Sequence, residues 1–235
     1  GYFKSMLMLL KDWEELPEFM RNEDVKVYYE SLSKKKISLF FKRIFDIVMS
    51  LIMIIITSPL LILLSIWIKL DSKGPVFYRQ ARITQYGEIF HIYKFRTMIV
   101  NADKLGTLVT TKNDVRITKV GNKIRKCRLD EIPQLFNVLR GEMSFVGTRP
   151  EVKRYVDSYT DEMKATLLLP AGITSVASVK FKNEEDVIEL VKNKYRNTDE
   201  LYISEILPKK MSYNLKYLIN YRFYKDIYCC LITVL

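Results

Sequence analysis

Histidine is nearly absent from this chain: its 235 residues contain one, His91. That argues against a histidine-built metal centre and a Ser-His-Asp triad, and His91 reads as structural. Cysteine is scarce as well. Cys127, Cys229 and Cys230 show no zinc-ligand spacing, and the adjacent pair is poorly placed to bridge, so all three read as reduced thiols in a cytosolic setting. No repeat, low-complexity tract or secretory signal is expected: the apolar run begins too far in, with no small-residue cleavage site after it. Position 1 is Gly rather than Met, as in a processed start. Acids are outnumbered, with 27 Asp and Glu against 38 Lys and Arg, a net charge of +11. Such an excess points to nucleic acid or to an anionic membrane surface. No RNP-like or zinc motif supports the first partner, so no nucleic acid is expected.

What is present favours the membrane. Residues 47–68 form an apolar run of about 22 residues, roughly 33 Å as a helix, long enough to span a bilayer. Two features argue for re-entry instead. Basic residues flank both ends, Lys34–Lys36 and Lys42-Arg43 before, and Lys69, Lys73, Arg79 and Arg82 after, which would keep both flanks on the cytoplasmic side. Ser58-Pro59 also interrupts the run near its midpoint, where Ser58 can hydrogen-bond a carbonyl freed by the proline. Spanning and re-entrant helices both stay open on these residues alone.

The stretch RKCRLDEIPQLFNVLRGEMSFVGTRP, residues 125–150, carries the chemistry. Pro133 suits the first turn of a helix, which would put Asp130 at or beside the N-cap, where free N–H groups and the positive dipole end can bind phosphate. A plain reading makes Asp130 a cap and Glu131 an exposed first-turn acid. The company of Arg125, Arg128, Arg140 and Arg149 favours a metal-bound phosphate ester.

Around this stretch, residues 76–82 and 89–97 read as strands joined by the turn Gln85-Tyr86-Gly87-Glu88. Lys94 and Arg96 share one strand face, either as a diphosphate grip or as a solvated edge. A loop is expected over 101–116, with a turn at Asn113-Asp114, and Gly121 is expected to let the next helix approach. Helices are expected over 151–169 and 184–195, with a strand over 173–181 between them. Trp13, Leu16, Phe19 and Met20, then Val25, Tyr28, Tyr29 and Leu32, suggest short amphipathic helices lying on the membrane, on a partner or on the chain's own core. Tyr213, Tyr217, Tyr221, Tyr224 and Tyr228 fall on a single helical face, as core or as an interfacial helix.

RLDEIPQLFNVLRGEMSFVGTRP closely resembles the signature of bacterial sugar transferases, the monotopic phosphoglycosyl transferases. KRIFDI (42–47), Ser58-Pro59, KFRTM (94–98), DVRITKVG (114–121) and PAGIT (170–174) match further motifs in the family order. Thr148 departs from the family's usual Pro, and Ala171 from its Pro-Gly-Ile-Thr. The resemblance implies an α+β fold, mainly helical with a small β-hairpin, a membrane-embedded re-entrant helix broken at Ser58-Pro59, and interfacial amphipathic helices. The expected divisions are an extension over 1–36, the membrane helix over 37–70, a cytosolic catalytic domain over 71–212 and an amphipathic helix over 213–235.

The resemblance also implies an activity: transfer of a sugar 1-phosphate from a UDP-sugar to polyprenol phosphate at the cytoplasmic face of the bacterial inner membrane. Asp130 is then the nucleophile and Glu131 its partner, the two holding Mg²⁺. Arg149 and Arg125 hold phosphate, with Lys94 and Arg96 as weaker candidates, and Pro150 belongs to a GTRP turn near the nucleobase. The sugar, the polyprenol and a homodimeric state stay open. The rival reading is a membrane-anchored, non-catalytic scaffold, which predicts no turnover with any sugar nucleotide.

Overall fold

A computed structural model describes residues 10–102, 114–181 and 198–234. Two 3₁₀ turns, Trp13–Glu15 and Glu18–Met20, lead into helix α1 (Glu23–Ser33), where the expected helix over 13–20 is not formed. Asn22 caps α1 by accepting the Val25 N–H at 2.9 Å. Leu16, Met20, Val25 and Leu32 are buried with Leu168, Met211 and Leu218, so this segment packs on the chain's own core. Each such side chain contributes about 1.5–3 kcal/mol.

Helix α2 (Lys36–Asp71) runs unbroken through Pro59, so the break expected at Ser58-Pro59 is not formed in the helix. Pro59 has no N–H for the Ile55 carbonyl four residues back, and Ser58 Oγ donates to that carbonyl at 2.8 Å, as the sequence predicts. Both ends of α2 pack on the body of the protein. Near its start, Leu39, Lys42, Arg43, Asp46 and Ser50 are buried; near its end, Leu64 and Ile68 pack with Phe95, Val120 and Ile124. Between them Leu51, Ile52, Ile55, Ile56, Ile62 and Leu63 are exposed. Lys42 and Arg43 are therefore not surface flanking charges, as the sequence suggested. They are 1% and 3% exposed and spent on internal partners.

Strands β1 (Phe77–Ile83) and β2 (Ile89–Phe95) pair antiparallel with Arg79 opposite Tyr93, and the predicted hairpin turn is in place. Helix α3 (Lys119–Lys126) follows, capped by Thr118 Oγ1 on the Gly121 N–H. A Cβ on Gly121 would strike the Thr97 carbonyl, so the expected close approach is present. Helix α4 (Gln134–Arg140) ends on left-handed Gly141 (φ 85°). Arg43 crosses to the end of α4 and donates to the Val138 and Leu139 carbonyls at 2.8 and 3.0 Å.

A second small sheet went unread in the sequence: β3 (Met143–Val146) pairs parallel with β4 (Ala171–Thr174). The helix expected over 151–169 is two short pieces, α5 (Lys153–Val156) and a 3₁₀ segment, Met163–Leu168. Thr160 Oγ1 accepts the Met163 N–H there and starts a new turn. The strand expected over 173–181 stops at Thr174, because Ser175 caps helix α6 (Val176–Lys180) through the Ser178 N–H. The helix expected over 184–195 lies outside the described residues.

The tyrosine face divides between two helices. After α7 (Thr198–Leu201) and a π-helical segment come α8 (Leu207–Ile219) and α9 (Phe223–Val234). Tyr217 and Tyr221 are buried in the core, whereas Tyr224 and Tyr228 are exposed. The fold is thus mostly helical with two small sheets.

Candidate active site

The two acids do not sit at a helix N-cap. Arg128 adopts the left-handed conformation (φ 54°), costly for a residue with a Cβ, and turns the chain out of α3 into a 3₁₀ turn, Leu129–Glu131. The α4 N-cap position falls to Pro133. Leu129 packs against the Leu64, Ile68 and Phe95 cluster, so the acids sit beside the last turns of α2.

The hairpin supplies the first cation. Phe90 and Ile92 of β2 face Val138 and Met143, and Lys94, two residues further along that face, donates to Glu131 Oε1 at 2.9 Å. Asn137 fixes this alignment. Fully buried on α4, it accepts the Tyr93 N–H and donates to the His91 carbonyl and to Glu142. Its only signal in the sequence is a polar residue within LFNVL.

Arg149 supplies the second cation, with its Nη2 atom 3.5 Å from Glu131 Oε1. It follows β3 in a loop held at both sides. Gly147 N–H donates to the Thr174 carbonyl and Gly172 N–H to that of Thr148, so the departure at Thr148 keeps a backbone-held turn. The Pro150 carbonyl accepts from Arg82 at 3.3 Å, and that of Glu151 accepts the Ile83 N–H, tying the loop to β1.

Neighbouring acids thus have opposite surroundings. Burial works to raise Glu131, but Lys94 and Arg149 outweigh it and hold its carboxyl below the ordinary value. Burial first, then Glu131 itself, hold the carboxyl of Asp130 above the ordinary value, against the pull of Lys94 and Arg125. Among the described residues Asp130 has no ion-pair partner within 4.0 Å.

Asp130 lines a cavity of about 450 Å³, and Lys94, Arg96 and Arg125 line it too. Of the cations read from the sequence, Arg96 is largely committed elsewhere: buried, it donates to the Ser72 and Lys73 carbonyls at the end of α2. Two cavity arginines were missed, Arg82 on β1 and Arg116. Arg116 forms a bidentate pair with Asp114, whose carboxyl it holds at about 2. Phe77, Tyr78 and Phe95 add an aromatic wall. A cationic hollow with an aromatic side, one half-buried acid and no second acid among the described residues of its lining suits a polyanion carrying a flat ring.

Among the described residues no three His, Cys, Asp or Glu side chains gather into a metal cage. The available donors are Asp130 and the oxygen of Glu131 that Lys94 and Arg149 leave open. That set fits Mg²⁺, which commonly takes one or two carboxylates and completes its shell with substrate phosphate and water.

Residues 37–235 match the family model described as bacterial sugar transferase. The chain is 34% identical over 202 residues to the UDP-glucose:undecaprenyl-phosphate glucose-1-phosphate transferase of Klebsiella pneumoniae, covering 84% of this chain and 40% of that protein. It is 42% identical to the undecaprenyl-phosphate galactose phosphotransferase of Salmonella typhimurium over 65% of this chain and 35% of that one. It is 44% identical to the UDP-N-acetylgalactosamine-undecaprenyl-phosphate N-acetylgalactosaminephosphotransferase of Aeromonas hydrophila over 57% of this chain and 31% of that one. The matches thus span less than half the length of each of these relatives. The family match takes in the apolar helix, the hairpin, both acids and the Arg149 loop together, and the chain belongs to the bacterial sugar transferase family.

Proposed function

We propose that this chain transfers a sugar 1-phosphate from a UDP-sugar to polyprenol phosphate, undecaprenyl phosphate in its relatives' names, releasing UMP. This is the first membrane step of a bacterial glycan assembly. The observation that carries the reading is the unpaired carboxylate of Asp130 at a cationic cavity, while its neighbour Glu131 is pinned by Lys94 and Arg149.

In this mechanism an Asp130 oxygen attacks the phosphorus that bears the sugar. The bond from that phosphorus to the bridging oxygen breaks, and UMP leaves with the electron pair. A phosphate oxygen of the polyprenol then attacks the phosphoryl-aspartate, and Asp130 leaves as a carboxylate. No base is needed, because both attacking groups are anions at neutral pH. Lys94, Arg125 and Arg82 offset the repulsion between Asp130 and the diphosphate. Pinning Glu131 keeps a second carboxylate from turning toward the incoming phosphates. Asp130 and Glu131 would hold Mg²⁺, which would supply further charge neutralisation for the phosphates.

The acceptor is a lipid, and the fold gives it an approach. Both ends of α2 pack on one body while its apolar middle is exposed. This supports a helix that enters one leaflet and returns, with the catalytic body at the cytoplasmic face and Ser58-Pro59 near its midpoint. Cysteines placed at Lys36 and Lys73 should be labelled from the same side; labelling from opposite sides would refute re-entry.

The covalent step is tested by intact mass after incubation with donor alone. A phospho-sugar adduct should form on the wild type and be absent from Asp130→Asn. Normal turnover by Asp130→Asn would sink the assignment. A UMP-release screen across UDP-glucose, UDP-galactose and UDP-N-acetylgalactosamine with undecaprenyl phosphate identifies the sugar.

A further inference from the structure

We propose that the outer face of α3, with the adjoining flank of α2, is a contact surface for anionic phospholipid headgroups. Helix α3 has two faces. Val120, Gly121 and Ile124 turn inward, and Val120 and Ile124 pack with Leu64 and Ile68 of α2. Lys119, Lys123 and Lys126 lie on the other side, all exposed. None of the three has an acidic partner within 4.0 Å among the described residues. The nearby Asp71 is occupied as acceptor of the Val120 N–H at 3.1 Å.

The position of this face along α2 decides what it meets. The Lys123 ammonium lies 5.5 Å from the centroid of the Trp67 ring, and Trp67 is 41% exposed. Leu63, Ile66 and Leu70 beside it on α2 are exposed as well. This surface therefore changes from bare apolar helix through a tryptophan to unpaired lysines, the sequence of groups that matches acyl chains, headgroup boundary and phosphate. Each lysine near an anionic surface favours the contact about fivefold. The next-but-one residue after Lys123 is Arg125, which lines the cavity. Lipid bound to the outer face of α3 would thus set the cavity mouth at headgroup depth. The inference rests on the membrane placement of α2 proposed above.

Trp67 is a built-in reporter, because Trp13 is the only other tryptophan. The full chain carrying Trp13→Phe is reconstituted into phosphatidylcholine bilayers containing phosphatidylglycerol, with bromine on the acyl chains of one lipid or the other at equal mole fraction. Stronger Trp67 quenching by brominated phosphatidylglycerol is expected. The preference should be lost in Lys119→Gln/Lys123→Gln/Lys126→Gln, be kept in the triple Arg variant, and shrink at high salt. Equal quenching by the two lipids in the Trp13→Phe parent would overturn the headgroup contact and leave the membrane placement standing. No quenching by either lipid would overturn both.

Discussion

Two of the places where the protein takes charge out of water are treated differently. At the first, Lys42 of α2 and Asp226 of α9 lie 2.7 Å apart, each side chain 2% exposed. Lys42 also donates to the Val146 carbonyl, and Asp226 accepts from Tyr217 at 2.6 Å and from Tyr221 at 3.3 Å. Asp46 of α2, 1% exposed, adds a second buried carboxylate beside Lys42 with no cation within 4.0 Å among the described residues, and the cluster fastens three elements, α2, β3 and α9. At the second, Glu131 takes both ion-pairing cations, and among the described residues Asp130 has no ion-pair partner within 4.0 Å. The first cluster is sealed from solvent. The second is left incomplete at a cavity, and a substrate phosphate is proposed to finish it. Burial of charge alone therefore does not single out a site; an unmatched charge facing a cavity is the stronger candidate.

The largest effect should come at the incomplete site. Asp130→Asn should reduce turnover by about a thousandfold or more, since it removes the proposed nucleophile but keeps the shape. UMP release measures it, and near-normal rates would erase the contrast. The next largest should come at the Lys42–Asp226 pair, as lost stability. Asp226→Ala leaves Lys42 buried without its partner and should cost about 3–5 kcal/mol, read by denaturant unfolding. A Lys42→Met/Asp226→Leu double variant should recover most of that loss, which would show that the pair's value lies in being matched.

Glu131→Gln sharpens the comparison from the other side. It frees Lys94 and Arg149 together and should lower the rate by about 10–100-fold, with partial rescue by excess Mg²⁺. A Mg²⁺ titration of the rate tests this; unchanged kinetics would remove Glu131 from the site. The smallest effect concerns stability at Asp130. Its carboxyl is held above the ordinary value, so the folded state disfavours the charge. Asp130→Asn should then stabilise the fold at neutral pH by about 1 kcal/mol or less. The gain should shrink as pH falls through the folded value of Asp130, where the wild-type carboxyl takes up a proton and its penalty disappears. Paired melts across pH check the sign.

Features set by periodicity and local chemistry were legible in the sequence. The apolar helix, the hairpin with its turn, and the bond from Ser58 to a freed carbonyl all follow from neighbours in the chain. Asp130 was legible as a candidate from the residues around it, but its backbone was not. A left-handed arginine at 128 carries no glycine or asparagine to announce it. The tyrosine spacing stayed helical across Asn220–Arg222, so periodicity could not show the break between α8 and α9. Lys42-Arg43 looked like a flank because their partners, Asp226 and the Val138 and Leu139 carbonyls, lie about 95 residues away or more. Arg82 and Arg116 were missed for the same reason: the cavity gathers them only when the hairpin meets the segment before α3.

The Ser58 hydroxyl on the Ile55 carbonyl constrains how this helix can change over generations. Losing the serine first strands that carbonyl, because Pro59 has no N–H to offer, and a bare carbonyl in hydrocarbon costs several kcal/mol. Losing the proline first supplies a second donor and leaves the serine dispensable. The two substitutions therefore have a preferred order. A lineage can discard Ser58 cheaply only after Pro59 has gone, and a lineage that keeps Pro59 is held to a hydrogen-bonding side chain just before it.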